Sequence, residues 1–351
     1  MRQLHTRAAF ARLDPAHLFD GLFVPTRGHA CEKISGNQRR RQRLLIEPRN
    51  FGGVQIGYQG YEQLGADDQS VLLAVAAELG IDGQTIDADS SGPIAQQLRT
   101  AMDLRNGQGQ PLDRGERLIS RRTELRSLLV NAGYRDVESG NARANVRASL
   151  NRLRNAQIRE RNNSGWDRVC NLISAAYNEQ TREVYVAANP RLATSIFGGQ
   201  NIQVSLHERN EIRSEVGKLL HAWLCSHVRL GEHLGNGHGA RLDTLAPHVC
   251  GPGHDQASRK VKSIRRGLLR AALAEIDDRT RRLHGGHGWA IDQTPSGVMV
   301  SRPKTLPRIG VHFPQPADYA AAVEAHWGKP KSPDQVVTLP GLSGNGPRTR
   351  W

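Results

Sequence analysis

Residues 141–190 read NARANVRASLNRLRNAQIRERNNSGWDRVCNLISAAYNEQTREVYVAANP. The spacing predicts a helix from near Asn141. Val146, Leu150 and Leu153 fall at i, i+4 and i+7 and form its apolar stripe. Arg143, Arg147, Asn151 and Arg154 fall at i, i+4, i+8 and i+11, so they share another face. Two strands follow, one through Gln157, Ile158 and Arg159 and one from about Trp166 to Ala176. Asn162-Asn163-Ser164-Gly165 supplies turn residues between them. A third strand, Glu183 to Ala187, ends at Asn189-Pro190.

Upstream, Ser120 is placed to cap a helix that carries Leu125, Leu128 and Leu129 and stops at Asn131-Ala132-Gly133. Helix, turn, arginine-striped helix and basic hairpin is the order of a winged helix–turn–helix. In that unit the second helix enters the major groove and the hairpin grips the flanking backbone.

The same order recurs downstream. Ile202 to Leu206 reads as a strand, and Ser214 to Val228 as a helix with Val216, Leu219, Leu220, Trp223 and Leu224 inward. After a Gly/His-rich loop from Leu230 to Gly239, Arg241-Leu242 begins a short strand and Asp243 caps a short helix. A long helix then runs from about Asp255 to Asp277, with Val261, Ile264 and Leu268 as its expected buried stripe. Arg259, Lys262, Arg266 and Arg270 form its basic stripe, with Arg265 beside it. A second hairpin, Gly285 to Ile291 and Val298 to Val300, turns at Thr294 to Gly297. The expected fold class is therefore α+β, mainly helical, with two tandem winged helix–turn–helix domains. The expected division is a basic arm at 1–50, domains at 51–188 and 189–303, and a Pro-rich tail at 304–351. One short helix is expected in that tail, from Asp318 to Trp327.

Elsewhere, Val54 to Tyr58 alternates like a strand, and Gly65 to Leu79 reads as a helix with Asp67 and Asp68 in its first turn. Pro93 to Leu104 reads as another short helix.

Lys and Arg number 48 against 34 Asp and Glu, a net charge of +14. That balance favours an anionic partner, nucleic acid before an acidic membrane surface. The excess is mostly arginine, which suits bidentate contact with phosphate and guanine, although high-GC codon usage gives the same bias. Charge runs are commonly just solvated helix faces. Two such helices, each between a short helix and a hairpin, shift the balance to DNA. Arg to guanine and Asn151 to adenine are the candidate base readers. Arg159, Arg161 and Arg168 near the first wing are candidate phosphate contacts, as are His284 and His287 at the second.

Cys31, Cys170, Cys225 and Cys250 are far apart with no CxxC, which fits a reducing interior. Arg7, Arg12, Asp14 and Pro15 interrupt the apolar run a signal peptide needs. The longest apolar run, Val71 to Ala77, is too short to span a bilayer. A bacterial cytoplasmic protein without membrane contact is expected.

The sequence holds no GxxxxGK[ST] loop, HEXXH or GxSxG motif. Its histidines lack the one-residue spacing that rolling-circle nickases use. His221, Cys225, His248, Cys250 and His254 form a candidate zinc set; the plainer reading is a buried cysteine and loop histidines. No cofactor and no enzymatic activity are expected. Two other readings remain open: a winged-helix transcription regulator on a promoter operator, and a zinc-dependent nucleic-acid enzyme.

Several blocks carry a family likeness: LDPAHLFDGLF at 13–23, QGYEQLGADD at 59–68 leading into VLLAVAAELG, VYVAANPRLATSIFGGQNIQVSL at 184–206, KLLHAWLC at 218–225 and ARLDTLAPHV at 240–249. In these the chain resembles the IncQ-type plasmid replication initiators, the RepC family, over roughly 12–305. The sequence departs from that pattern at 81–117, near 230–239, in both expected recognition helices and after 305. The resemblance implies binding to directly repeated iterons in the double-stranded origin. It also implies opening of adjacent AT-rich DNA, loading of the plasmid helicase and primase, and a homodimer that could limit copy number.

Overall fold

The computed structural model describes residues 9–26, 31–33, 39–112, 116–162, 165, 167–178, 180–234, 239–294 and 297–304. The chain divides into two units, Met1–Pro307 and Arg308–Trp351, and the second lies outside the described residues. The expected tail from 305, its short helix, and the 163–164 corner of the first hairpin also lie outside them.

The first unit is mixed α+β with antiparallel sheets. Its strands are β1 (Phe10–Leu13), β2 (Cys31–Lys33), β3 (Arg39–Arg41), β4 (Leu44–Phe51) and β5 (Val54–Gly60). Helix α1 (Ala66–Asp82), β6 (Gln84–Ile86), α2 (Pro93–Met102), β7 (Arg105–Asn106) and β8 (Leu118–Glu124) follow. Then come α3 (Leu125–Asn131), α4 (Gly140–Arg154), β9 (Ala156–Asn162), β10 (Asp167–Asn171), β11 (Ile173–Asn178) and β12 (Glu183–Ala188). The remainder is α5 (Pro190–Ile196), β13 (Ile202–Ser205), α6 (Leu206–Glu211), α7 (Glu215–His227), α8 (Leu242–Cys250), α9 (Arg259–Leu283), β14 (Ala290–Gln293) and β15 (Val298–Ser301).

Helix α1 is the hub. It is apolar nearly all round, with every residue from Val71 to Ala77 buried, so it packs on several partners at once: α3, α4, α7 and β1. Its two buried acids are tied down. Asp68 accepts from Gly65 N–H, closing the first turn, and from Arg41 and Arg152. Glu78 accepts from Thr123 Oγ1 at 3.0 Å and Asn131 Nδ2 at 2.6 Å.

The unit has two larger sheets, and α1 packs against β8 and β12 of the second. One runs β4-β5-β9-β10-β7 and the other β11-β12-β8-β6. Strand period sets which residues point inward. In β9, Ala156, Ile158 and Glu160 are buried, whereas Arg159 and Arg161 face solvent. In β10, Arg168 and Cys170 are buried. The register pairs Arg168 with Glu160, so the two inward charges meet.

Several expectations change. Leu118–Glu124 is a strand rather than the start of a helix, because Leu118 and Ile119 are buried between β12 and β6. The single strand expected over 166–176 is two strands in different sheets. Arg241 is the N-cap of α8, not a strand residue, and the Asp243 side chain turns to α9 instead of capping. Residues 10–13, expected within a basic arm, pair with β13, and Ala11 and Leu13 are fully buried.

Candidate nucleic-acid interface

The elements α3, α4 and the β9–β10 hairpin follow one another, as do α8, α9 and the β14–β15 hairpin. Helix α4 buries Ala142, Val146, Ser149, Leu150 and Leu153, so its opposite face is open. Asn141, Ala144, Arg147 and Asn151 are exposed there. Arg152, on a flank, donates Nε at 2.9 Å to the buried Asp68 carboxylate and fixes α4 to α1.

The arginines of the α4 stripe are held by neighbours. Arg143 is ion-paired with Glu138. The Arg147 guanidinium lies 4.2 Å from the Tyr177 ring centroid and donates to its hydroxyl at 2.5 Å. Arg154 is half-buried and lines a cavity of about 600 Å³ with α2 and the edge strand β11. In the β9–β10 hairpin, Arg159 pairs with Asp167 at 2.6 Å, and this bond holds its pKa above the usual guanidinium value. Arg161 is exposed, and among the described residues no ion pair of it is seen.

Arg168 is corrected from phosphate contact to interior ion. It is 7% exposed, and its guanidinium bridges Glu160 and Glu116, the latter at 2.5 Å. Glu160 also accepts from Arg191 at 2.9 Å, and Arg191 pairs with Asp14. The network joins β9, β10, α5 and the lead-in.

On α9 the apolar stripe is not where periodicity put it. Ile264 and Leu268 are 44% and 46% exposed and Val261 is half-buried. Leu269, Ala272, Leu273 and Ile276 make the core contacts instead. The basic residues shift with them. Arg266 turns toward α8 in a two-pronged pair with Asp243 at 2.7 and 2.6 Å. That pairing lowers the Asp243 pKa to about 2. Lys262 Nζ donates to the Asp255 carbonyl at 2.8 Å, and Arg265 is half-buried. Arg259 and Arg270 are exposed, as is His287 near the second hairpin.

His284 is corrected: it is buried and bonds Glu208 Oε1 at 2.9 Å. The other Glu208 oxygen accepts from His221 Nε2 at 2.9 Å and Trp289 Nε1 at 3.0 Å. One buried carboxylate thus locks the end of α9 and the start of its hairpin onto α6 and α7. Burial pulls the His221 pKa down, but Cys225 and the closer Glu208 push it up to about 9.

The residues weighed for zinc go to separate places. His221 and Cys225 are 3.8 Å apart. His248 stacks on Trp223 and bonds Asp20, and His254 contacts Asp243. Among the described residues no group of three such side chains could hold a metal. Also among them, no helix is long and apolar enough to cross a membrane.

The family model of replication protein C (RepC) matches residues 6–288. The chain belongs to the RepC family. It is therefore a plasmid replication protein. No curated protein matches it. Arg152, Glu160, Tyr177 and Glu208, which hold the elements of this RepC member together around its open faces, belong to no motif in the sequence, and Asp68 is legible there only as a first-turn acid. Only the alternation of β10 carried a signal: an inward Cys170 requires an inward Arg168.

Proposed function

We propose that this RepC-family protein is the initiator of an IncQ-type plasmid. It binds directly repeated iterons through two tandem winged helix–turn–helix units, with α4 and α9 in the major groove and the hairpins on the backbone. Two units a helical turn apart cover about 20 bp. Binding bends and untwists the origin, at a cost on the order of 1–10 kcal/mol that adjacent initiators share. AT-rich DNA beside the repeats opens, and the plasmid's helicase and primase load there. The protein itself catalyses no reaction in this scheme.

The observation that carries the reading is the recurrence of one order in a +14 RepC-family chain: short helix, helix with an exposed face beside basic residues, antiparallel hairpin. The test is a gel-shift titration on duplexes with one, two and three direct repeats from its replicon, at several salt concentrations. Arg147→Ala and Arg270→Ala serve as variants. Binding that tightens with repeat number, falls steeply with salt and weakens in both variants supports the reading. Binding to one isolated palindrome, indifferent to repeat number, overturns it in favour of a regulator.

A further inference from the structure

The first half of α9 presents an unusual face. Its outward positions are Ser263, Ile264, Gly267, Leu268 and Ala271, all exposed. Ile264 and Leu268 are among the few large apolar side chains this open in the described fold. A Cβ added at Gly267 would meet no atom within 4 Å, so no internal packing requires glycine there. Mid-helix glycine is nonetheless unfavourable, and it permits close approach of another surface.

The charge around this face selects the occupant. Arg259, Lys260, Lys262, Arg265, Arg266 and Arg270 lie on the same stretch, and no acid occurs from Arg259 to Ala274. Packing against the same face of a second copy would bring these cations together. A polyanion is attracted, and the DNA major groove offers both flanking phosphates and an apolar feature, the thymine 5-methyl group. We propose that Ile264 and Leu268 are base-reading residues that contact thymine methyls, with Gly267 letting the helix backbone close on the groove floor. This inference rests on α9 being a reading helix. It makes α9 selective for thymine at fixed positions, where its arginines set affinity and register.

The test uses the full chain and duplexes that it enriches from a randomised pool. Each thymine of the enriched site is replaced by deoxyuridine, which removes only the methyl. Burying one methyl-sized group implies a loss of about fourfold in affinity at each contacted thymine. Ile264→Ala and Leu268→Ala should each lose a similar factor on thymine DNA and lose nothing more at the matching deoxyuridine. Both side chains are exposed, so thermal melts of these variants should match the parent. If no position responds to deoxyuridine, or the variants respond as strongly as the parent, the inference falls while groove binding stands. If the parent enriches no sequence, groove reading and inference fall together. A parent dimer that Ile264→Ala dissociates, with binding lost only as mass is lost, assigns the face to a second copy and overturns the proposal.

Discussion

Asp68→Asn tests how the first candidate reading helix is held. The Asp68 side chain is fully buried, and its two Arg partners are 19% exposed. Oδ1 accepts from Arg152 Nε at 2.9 Å; Oδ2 accepts from Arg41 Nη1 at 2.5 Å and Gly65 N at 2.7 Å. Asparagine keeps the shape but loses the charge. Its amide nitrogen must replace one oxygen, so in either orientation an N–H₂ faces a guanidinium. Breaking a buried pair by altering one partner costs about 3–5 kcal/mol. That corresponds to a fall in Tm of about 5–15 °C for a unit of this size. Urea and thermal unfolding followed by circular dichroism measure it. A cycle with Arg152→Gln should show a coupling of about 0.5–3 kcal/mol. DNA affinity should drop in Asp68→Asn even where the fold is intact, because α4 loses its tether to α1. A stability change under about 1 kcal/mol, or strictly additive single effects, would refute this account of the anchor.

Other outcomes follow from the same geometry. Arg161→Ala should leave stability unchanged and reduce the slope of log affinity against log salt by about 1. Arg168→Ala should instead destabilise the fold by about 3–5 kcal/mol, since it strands the buried Glu160 carboxylate; unfolding curves separate the two. Burial alone would raise the Glu160 pKa, but Arg168 and Arg191 outweigh it and hold it below the ordinary 4.5. The unfolded chain thus takes up this proton at higher pH than the folded one. Its contribution is complete above about pH 4.5 and is lost as pH falls through the lowered folded value. The stability gap between parent and Glu160→Gln should therefore narrow as pH falls below about 4.5, measured by urea midpoints. Trp289→Ala empties a fully buried site and removes a donor to Glu208, and should cost about 3–5 kcal/mol by the same unfolding assay.

Helical periodicity was legible where a helix has one buried side. Val146, Leu150 and Leu153 are buried in α4 as spaced, and α7 buries Val216, Leu219, Leu220, Trp223 and Leu224. The same rule misled on α9, which carries two apolar stripes. Val261, Ile264 and Leu268 repeat as well as Leu269, Leu273 and Ile276, and nothing local chooses between them. The neighbours choose: α6, α7 and α8 cover the second stripe and leave the first open. Leu118–Glu124 failed for a related reason. A seven-residue segment takes its conformation from β6 and β12 on either side, not from its own weak preference.

By itself the sequence determined most of the longer helices, the hairpins after α4 and α9, the basic balance, and, through long ordered blocks, the RepC family, because these depend on local spacing and composition. Only the tertiary structure decided which charges are available. Arg161 and Arg168 stand in the adjacent strands β9 and β10 and look alike in the chain. Strand alternation turns one to solvent and the other inward, where Glu160 meets it across the hairpin and Glu116, distant in sequence, closes the second side.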